Sequence, residues 1–388
     1  MRVCQDTWEL KKGEWFVAVK GENFDGHTFI KKALSKGAAG VLELPELFAT
    51  AQQKLFEIKP TVIAITGSYG KTTTKEAVYQ ILRTSYPVYR TAGNLNTPLG
   101  IALDIVNNLR PRHRFLVIEM GMDRLGEIKE SCEIVHPTVG VITNIGEMHL
   151  EKLGTQENII RAKMELLQAL PEGGTAFLNA SDPNTLRAAK HFRHRKIWFG
   201  GSSHFLISPR DLKRISYPHF GSANQENILA AWAVGKYFGI SPDKIQQALR
   251  SFVPPAGRLR IFSNKNGVKI IDDTYNAGPR SMREALSVLK NFSAKRRVAI
   301  LGDMLELGRS ENEFHQEVVR QAAKTADVFI PFGKRMRRAA KDLAVESHNL
   351  EIFFPHRGDA ILVKGSRGMK MERVVKEIKE KRVDAFRI

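Results

Sequence analysis

The sequence predicts an α/β protein of three domains, of which the central one contains a doubly wound parallel sheet. Its 388 residues suffice for two or three domains of ordinary size. Continuous apolar runs, typical of strands buried on both faces, alternate with helical patterns along the chain. Around 251–257 two consecutive prolines interrupt this alternation, and such a sequence is typical of a linker.

The N-terminal domain is predicted at 1–58 as a small α/β unit. A strand over Trp15–Val19 is followed by a glycine-rich turn, a helix from about Phe29 and a short strand over Gly40–Leu44. The strand pattern restarts at Pro60, which places the first domain boundary after residue 58.

The central domain is predicted at 59–253. Its candidate strands are the apolar runs Thr61–Ile65, Phe115–Glu119 and Val139–Thr143, with helical patterns between them. After the proline-rich linker the alternation resumes, which predicts a C-terminal Rossmann-like α/β domain at 254–388. The candidate strands of this third domain are Lys269–Asp272, Val298–Leu301, Val328–Pro331 and Ala360–Lys364.

The composition excludes several classes of protein. Hydrophobic residues make up 43% of the chain, which is too many for a disordered protein. No apolar run reaches the roughly 18 residues that span a bilayer, and the N-terminus lacks the apolar stretch of a signal peptide. Cys4 and Cys132 are too few for a disulfide framework or a metal cluster. We therefore expect a cytoplasmic protein without a membrane span.

The net charge of +19 is the most unusual property of the composition. Such a charge is compatible with binding of nucleic acid, with attraction of small anionic substrates and with a solvated surface. The densest basic clusters lie at 110–114, 193–196 and 334–338, and few aromatic residues are interleaved in the last of these. Composition alone leaves the three interpretations open.

A strand, a loop and a helix at 61–83 carry the most specific motif. The loop Thr66–Thr74 has the spacing G-x-x-G-K-T, which is two residues shorter than the general Walker pattern. Its glycines allow N–H groups to converge on phosphate oxygens, and the helix N-terminus adds its positive dipole end. Lys71 supplies a cation, and Thr72 supplies a hydroxyl ligand for Mg²⁺. We therefore expect a P-loop-type central sheet that binds a phosphate group.

Three further candidates lie in the same domain. Glu119 ends one predicted strand and His149 follows the end of another, so both are expected at the edge where open α/β sheets bind ligands. Lys163 lies on the next predicted helix. Each residue alone also fits a structural role, but their occurrence together behind one phosphate loop favours a catalytic site.

Longer motifs extend this interpretation over all three predicted domains. They include TGSYGKTTTKE, AGNLNTPLG, NIGEMHLEKLGT, DDTYNAGPRSM and GDMLELG. In these motifs, and in FVAVKGENFDGHTF near the N-terminus, the chain resembles the Mur ligases. The DDTYNA and GDMLELG motifs are most similar to those of members that add D-alanyl-D-alanine to UDP-N-acetylmuramoyl-tripeptide.

The resemblance implies a binding site for ATP. It places the ATP phosphates on a loop that comprises Gly67, Ser68, Gly70, Lys71, Thr72 and Thr73. It also implies that Arg258 reaches those phosphates from the third domain and that Asn227, at the start of a predicted helix, reads the adenine base. Asp273 and Tyr275 match the family's contacts to the ribose and the base.

The resemblance also implies Mg²⁺ ions. Thr72 and Glu119 match the ligands of one ion, and His149 matches a ligand of the second. Lys163 matches a lysine that can be carbamylated, which would place a carboxylate-like group at the metal site. The catalytic residues expected from the resemblance are Lys71, His149, Lys163 and Arg258.

The resemblance implies two further groups of residues, one for the UDP-sugar that accepts the amine and one for the amine itself. Asn94, Asn96 and Thr97 match residues that hold the pyrophosphate region of a UDP-sugar. Ser366 and Arg367 match a loop near the incoming amine.

The implied activity is ATP-dependent amide ligation through an acyl phosphate, in peptidoglycan precursor synthesis. Its small-molecule substrates would be UDP-N-acetylmuramoyl-tripeptide and D-alanyl-D-alanine, without nucleic acid, and we expect a monomer. The alternatives are a ligase of the same mechanism with another acceptor or amine, a P-loop ATPase acting on nucleic acid, and a non-catalytic binding module. The ligase is favoured, because a general ATPase has no reason to combine five residues of these types: Glu119, His149, Lys163, Arg258 and Asp273.

Four features depart from the family pattern. Asp6-Thr7-Trp8 stands where the family has Asp-Ser-Arg, Ala223 where it has histidine, and Gly278 where it has asparagine. The stretch 200–221 is also short compared with that of the family. We therefore expect a preserved ATP site with altered contacts to the substrates.

Overall fold

Three sheets, placed in series along the chain, form the framework of the protein. The computed structural model describes residues 1–21, 24–200 and 222–380. The sheets lie within 3–43, 61–199 and 260–364, and helices pack on them. The predicted α/β fold class is confirmed, whereas the domain boundaries at 58 and 253 stay predictions. The short stretch 200–221 lies, except for Gly200, outside the described residues.

The N-terminal sheet has three parallel strands in the order β1-β2-β3. They are β1 (Val3–Cys4), β2 (Trp15–Ala18) and β3 (Gly40–Glu43). Helices α1 (Ile30–Ser35) and α2 (Leu44–Ile58) flank β3 in the sequence. β2, β3 and the helix that follows Phe29 correspond to those predicted, whereas the two-residue strand β1 is not among the predicted strands.

In the described part of the chain, the central sheet has six parallel strands in the order β5-β6-β4-β7-β8-β9. These strands are β4 (Thr61–Thr66), β5 (Val88–Arg90), β6 (Phe115–Glu119), β7 (Val139–Ile142), β8 (Thr175–Asn179) and β9 (Arg195–Phe199). The described helices here are α3 (Lys71–Leu82), α4 (Pro98–Asn108), α5 (Glu127–Val135), α6 (Leu150–Leu153), α7 (Gln156–Gln168), α8 (Pro183–Ala188), α9 (Ser222–Tyr237) and α10 (Pro242–Arg250). The strand order reverses at β4, which creates a crevice beyond the carboxyl ends of β4, β6 and β7.

The apolar run of β4 reflects burial on both faces of the central sheet. Val62 and Ala64 face one hydrophobic cluster, while Ile63 and Ile65 face another. All four side chains are buried. A strand covered by helices on both sides needs apolar residues at every position, which explains why its sequence shows no alternation.

An asparagine fastens the N-terminal sheet to the central domain. Asn107, near the end of α4, accepts a hydrogen bond from Val3 N at 2.8 Å and donates one to Val3 O at 2.8 Å. The side-chain amide therefore pairs with β1 as a neighbouring strand would. This interaction joins the edge of the N-terminal sheet directly to α4.

The C-terminal sheet has five strands in the order β10-β11-β14-β12-β13, of which only β10 is antiparallel to its neighbour. The strands are β10 (Arg260–Ser263), β11 (Lys269–Asp273), β12 (Arg296–Gly302), β13 (Val328–Phe332) and β14 (Asp359–Lys364). The described helices are α11 (Pro279–Lys290), α12 (Glu311–Thr325), α13 (Lys334–Asp342) and α14 (Glu372–Glu380). None of the helices in the described part of the chain is long and apolar enough to cross a membrane.

The sequence prediction misses strands that lie at the edges of sheets. β5, β9 and β10 are edge strands with partly exposed residues, so none of them shows a continuous apolar run. β8 is buried throughout, but its apolar run of three residues is too short to stand out. The placement of Asn227 at a helix start is wrong, because α9 begins at Ser222 and Asn227 lies in its second turn.

Asp303, directly after β12, caps helix α13. Its Oδ1 accepts a hydrogen bond from Met336 N at 2.8 Å, and its Oδ2 accepts one from Arg335 N at 3.3 Å. The aspartate is buried, so water does not readily replace the cap. The GDMLELG motif thus contains a residue with a clear structural role.

We expect Asp303→Ala to lower the free energy of unfolding by about 1–2 kcal/mol, the usual effect of removing a helix N-cap. Asp303→Asn should lose less, because an amide oxygen still accepts one of the hydrogen bonds. Urea unfolding followed by far-ultraviolet circular dichroism measures both. Equal losses in the two variants would contradict capping as the cause.

Candidate active site

A cleft between the central and the C-terminal domain collects most of the predicted site residues. Its walls come from the phosphate loop, from the segments after β6 and β7, and from the beginning of the C-terminal domain. The predicted residues on these walls are Ser68, Gly70, Lys71, Thr73, Asn96, Thr97, Glu119, His149, Asn227, Arg258, Asp273 and Tyr275. The candidate site therefore combines residues from two domains.

Local packing requires glycine at two positions of the phosphate loop. Gly67 has φ 150° and Gly70 has φ 81°, values that L side chains rarely adopt. A Cβ atom on Gly67 would lie 1.9 Å from Thr143 Oγ1, and one on Gly70 would lie 2.0 Å from Asn227 Oδ1. The loop backbone thus approaches its neighbours more closely than a side chain would permit.

Hydrogen bonds from the segment after β7 hold the phosphate loop. Ser68 N donates to Asn144 O at 3.0 Å, and Tyr69 N donates to Asn144 Oδ1 at 3.0 Å. Thr143 Oγ1 donates to Tyr69 O at 2.6 Å. The first N–H groups of α3 have no intrahelical partner, as at every helix start, and are available to an anion.

Lys71 is the first residue of α3, and its ammonium folds back over the loop. Its Nζ donates to Gly67 O at 2.8 Å. Burial lowers the pKa of Lys71, while the nearby Glu119 carboxylate opposes this shift and the Arg258 guanidinium adds to it. An anion bound in the cleft would favour the charged form of Lys71.

Arg258 reaches the phosphate loop from the C-terminal domain. Its Nη2 donates to Thr72 Oγ1 at 3.2 Å, and its Cζ lies 3.6 Å from the centroid of the Tyr275 ring. Burial lowers the pKa of Arg258, yet a guanidinium stays charged at neutral pH. Its Nε is buried and has no hydrogen-bond partner in the described part of the chain. This donor is therefore free for an anion.

Asp273 holds the turn that carries Arg258. Its Oδ1 accepts a hydrogen bond from Leu259 N at 3.0 Å, and its Oδ2 lies 2.5 Å from Lys364 Nζ. Leu259 has φ 51°, so the turn is held in a conformation that is uncommon for its residue type. Asp273 thus holds the turn after Arg258 through Oδ1, while its Oδ2 pairs with Lys364.

Glu119, at the end of β6, has one satisfied and one unsatisfied oxygen. Only 2% of the residue is exposed. Its Oε1 accepts a hydrogen bond from Asn96 Nδ2 at 2.9 Å. Its Oε2 is buried without a hydrogen-bond partner among the described residues. A buried oxygen of this kind is a suitable ligand for a cation.

The oxygen donors near the phosphate loop fit a magnesium ion that is shared with a phosphate group. Mg²⁺ is usually held by one or two protein oxygens together with waters and substrate phosphates. Glu119 Oε2 and the Thr72 hydroxyl are donors of this type. Within 1–21, 24–200 and 222–380, no group of three or more His, Cys, Asp or Glu side chains is arranged to hold a metal. The residues therefore fit Mg²⁺ in company with a phosphate-bearing substrate.

His149, predicted as a ligand of a second ion, lies between carboxylates of two domains. Its Nδ1 is 3.3 Å from Asp123 Oδ1 and 3.6 Å from Glu306 Oε2. The pKa of Asp123 is lowered, chiefly by His149 and also by Lys152. His149 therefore sits where a cation is stabilised, although its imidazole is a less typical ligand for Mg²⁺ than an oxygen.

Lys163, on α7, is almost fully buried behind the wall of the cleft. Only 1% of it is exposed. Burial lowers its pKa well below the ordinary value, and the charge of Lys71 lowers it further. A neutral amine is the form that reacts with CO₂, so this environment suits the carbamylation that the family resemblance implies.

Some predicted residues make contacts other than those expected. Asn227, expected to read adenine, packs its amide against Gly70, and its Oδ1 accepts a hydrogen bond from Thr74 Oγ1 at 3.2 Å. It therefore supports the phosphate loop directly. Ala223, where the family has histidine, lies on α9, and its side chain is outside the described part of the structure.

Three predicted substrate residues do not line the cleft. Asn94 is exposed in the segment before α4. Ser366 is buried, and its hydroxyl accepts a hydrogen bond from Leu305 N at 2.8 Å. Arg367 is exposed and forms an ion pair with Glu372 at 3.2 Å. Arg367 also lies 5.6 Å from the centroid of the Tyr275 ring, so it is near the cleft.

The cleft also contains residues that sequence analysis did not identify. Asp123, Asn276, Glu284 and Lys364 line it. Lys364 ends β14, and Asp123 follows β6 closely, so a search of all strand ends would have found both. Asn276, three residues after β11, carries the same signal, whereas Glu284 carries none because it lies in the middle of helix α11.

Two known family domains match the chain. The Mur ligase middle domain matches residues 65–235, and the Mur ligase, glutamate ligase domain matches residues 257–375. The chain is 32% identical to the UDP-N-acetylmuramoyl-tripeptide–D-alanyl-D-alanine ligase of Bacillus subtilis, over 97% of this chain and 93% of that protein. It therefore belongs to the Mur ligase family, and the resemblance found in its motifs is confirmed.

The similarity extends to particular members of this family. The Escherichia coli ligase of the same name is 31% identical over 97% of this chain and 93% of that protein. The MurF ligase of Thermotoga maritima, solved in complex with ADP, has a TM-score of 0.82 at 29% identity and covers 98% of this chain. This chain covers 97% of that structure. The similarity thus extends over nearly the whole length of relatives that are named as ligases of the Mur family.

We expect Lys163→Met to raise the free energy of unfolding at pH 7 by about 1–3 kcal/mol, because it removes the cost of burying an unpaired polar group. The folded-state pKa of Lys163 is lowered, so the unfolded chain binds more protons and the wild type gains stability as pH rises. The advantage of the variant should therefore shrink towards pH 10.

Urea unfolding in bicarbonate-free buffer at several pH values tests this, with the exposed Lys190→Met as the matched control. A variant advantage that does not change with pH would contradict a buried, neutral Lys163.

Proposed function

We propose that this ligase joins D-alanyl-D-alanine to UDP-N-acetylmuramoyl-tripeptide, using ATP and an acyl phosphate intermediate. The observation that carries the proposal is the convergence of Lys71, Arg258 and the unpaired oxygen of Glu119 at one phosphate loop. These groups come from two domains, and the cleft between the domains leaves room for substrates beside them.

The chemistry explains why such a ligase needs ATP. A carboxylate does not react with an amine, because its oxygen is a poor leaving group. Transfer of the γ-phosphoryl group to a carboxylate oxygen gives an acyl phosphate and ADP. The amine nitrogen then attacks the carbonyl carbon, inorganic phosphate leaves with the broken C–O bond, and the nitrogen loses a proton. The products are the amide, ADP and phosphate.

Lys71 and Arg258 are the proposed cations of the phosphoryl transfer. This reaction depends mainly on positioning and on neutralisation of charge, and fixed cations supply both. Lys71 lies over the loop, and Arg258 contacts Thr72 from the other domain. Since Arg258 belongs to the C-terminal domain, the site is complete only when the two domains are in contact.

Glu119 and Thr72 are the proposed ligands of one Mg²⁺, and His149 of a second. When bound, Mg²⁺ would neutralise phosphate charge in the cleft. Asn96 donates a hydrogen bond to Glu119 Oε1, and Oε2, which has no partner among the described residues, would be the oxygen that binds the ion. As a carbamate, Lys163 would provide the oxygen atoms that its amine lacks. Tyr275, which stacks on Arg258, is a proposed contact to adenosine, as are Asn227 and Asp273 on the same cleft.

The acceptor is proposed to extend from the cleft into a groove of the N-terminal domain. The groove has aromatic and apolar walls that include Trp8, Phe16, Val19, Phe24, Phe29 and Leu99. Asn96 and Thr97 line the cleft, while Leu99 lines the groove, so the start of α4 lies between the two. A helix start favours an anion. This order suits a molecule with a base, a diphosphate and a distant carboxylate.

Trp8 is the proposed contact to the base of the UDP-sugar. It replaces the arginine of the family pattern, and 79% of it is exposed at the groove. Lys32 Nζ lies 4.1 Å from the centroid of its ring, which adds a positive charge beside the groove. A flat, exposed indole is suited to stack on a nucleobase.

The amine is proposed to bind on the C-terminal side of the cleft. D-alanyl-D-alanine carries an ammonium and a carboxylate, and the cleft offers Glu284 and Lys364 on this side. Burial raises the pKa of Glu284, which makes its carboxylate a better proton acceptor than an ordinary one. Arg367 lies near the same end of the cleft, through its contact with Tyr275.

A phosphate-release assay with UDP-N-acetylmuramoyl-tripeptide and a panel of amines tests the proposed function. We expect release only when the acceptor and D-alanyl-D-alanine are both present, and Lys71→Ala should lower kcat by about 10²–10³-fold, as for loss of one transition-state donor. Lys129→Ala, on the exposed surface of α5, is the matched control.

Release with another amine, and not with D-alanyl-D-alanine, would favour the alternative ligase. Release that depends on DNA or RNA would favour the nucleic-acid ATPase. Ligation by Lys71→Ala within a few-fold of wild type would overturn the assignment of the phosphate loop.

Trp8→Ala should raise the KM for the UDP-sugar by about tenfold, since base stacking contributes about 1–3 kcal/mol. The KM for ATP should stay unchanged, because Trp8 lies outside the cleft. Steady-state kinetics with each substrate varied in turn measures both, with Phe56→Ala, another exposed aromatic residue, as control. Equal effects on both KM values would contradict a role of Trp8 in acceptor binding.

A further inference from the structure

The phosphate-loop residue Tyr69 reaches from the central domain to the C-terminal domain. Its ring lies against two glycines, Gly146 after β7 and Gly278 at the N-cap of α11. A Cβ atom on Gly146 would lie 2.7 Å from Tyr69 Cε2, and one on Gly278 would lie 2.7 Å from the Tyr69 hydroxyl. Gly278 has φ −151°, which any residue adopts. The same Cβ atom would lie 3.0 Å from Met148 Sδ. Crowding by Tyr69 and Met148, and not backbone conformation, therefore excludes a side chain at 278.

The backbone of Tyr69 is held on the opposite side. Tyr69 N donates to Asn144 Oδ1 at 3.0 Å, and Tyr69 O accepts a hydrogen bond from Thr143 Oγ1 at 2.6 Å. The Tyr69 hydroxyl is buried without a hydrogen-bond partner among the described residues. Tyr69 is thus held to the central domain by hydrogen bonds of its backbone, while its ring packs closely against Gly278 of the C-terminal domain.

Ion pairs beside this contact limit the freedom of the two domains to separate. Arg280, two residues after Gly278, belongs to α11. Its Nη2 is 3.2 Å from Glu226 Oε2, and its Nη1 is 3.5 Å from Asp182 Oδ1. Both acids belong to the central domain. A larger residue at 278 would therefore push Tyr69 more readily than it would move α11.

We propose that Tyr69 is a positioning residue through which the C-terminal domain sets the phosphate loop for its nucleotide. Gly278, which stands where the family has asparagine, provides the space that the ring needs. Lys71 follows Tyr69 by two residues, so displacement of the ring moves the loop N–H groups and the Lys71 ammonium. The proposal rests on the proposed role of this loop in nucleotide binding.

Calorimetric titration with ADP, without acceptor or amine, tests the proposal. Gly278→Ala should weaken ADP binding by about tenfold, because small displacements of binding groups are costly. Tyr69→Phe alone should stay within about twofold of wild type, since the hydroxyl has no partner to lose. In Tyr69→Phe/Gly278→Ala the nearest clashing atom is absent, and the next one, Met148 Sδ at 3.0 Å, belongs to a flexible side chain that can shift. The affinity should therefore return to within about threefold of wild type.

Gly21→Ala is the matched control, because its added Cβ would meet no atom closer than 3.7 Å. Equally weak ADP binding in Gly278→Ala and in the double variant would overturn the proposal, as would wild-type affinity in Gly278→Ala. Thermal unfolding of the same variants separates positioning from a structural role. A contact that stabilises the fold alone would change the unfolding temperature and leave ADP affinity unchanged, which also overturns the proposal. Failure of ligation would not alter this comparison, since ADP binding requires no ligation.

Discussion

The close approach of the phosphate loop to its neighbours is the constraint on which the rest of the site depends. Gly67 and Gly70 lie so near Thr143 and Asn227 that neither position accommodates a side chain. The strand order supplies one of these neighbours, because β7 pairs with β4 and brings Thr143 to the loop. Helix α9 supplies the other. The strand order of the central sheet therefore determines which residues the phosphate loop has to fit against.

The sequence predicts those parts of the site in which nearby residues determine the local structure. The phosphate loop and Glu119 are examples, because a strand followed by a loop or a helix is visible within one short stretch. Contacts between distant segments leave no such signal, and the packing of Tyr69 against Gly278 is one of them. Asn227 shows the same limit: the family resemblance predicts that it belongs to the site, but not that its amide packs against Gly70.

The candidate active site explains only part of the net charge of +19. Lys71, Arg258 and Lys364 are among the cations that line the cleft. In the basic helix α13, Arg335 pairs with Glu311 and Arg338 lies 3.8 Å from Asp342. Such exposed pairs contribute little to stability, so this helix is best understood as a solvated surface. The overall positive field still favours the approach of anionic substrates.

The pairing of Asn107 with Val3 has a consequence for the acceptors that the enzyme accommodates. It joins the N-terminal sheet to α4, whose start separates the aromatic groove from the cleft. In the proposed binding mode, this support fixes the distance between the groove and the cleft that the acceptor has to span. A nucleotide-sugar with too short a peptide would leave its carboxylate short of the phosphoryl group even if every local contact were made. In this binding mode, the length of the acceptor's peptide would determine whether its carboxylate reaches the phosphoryl group.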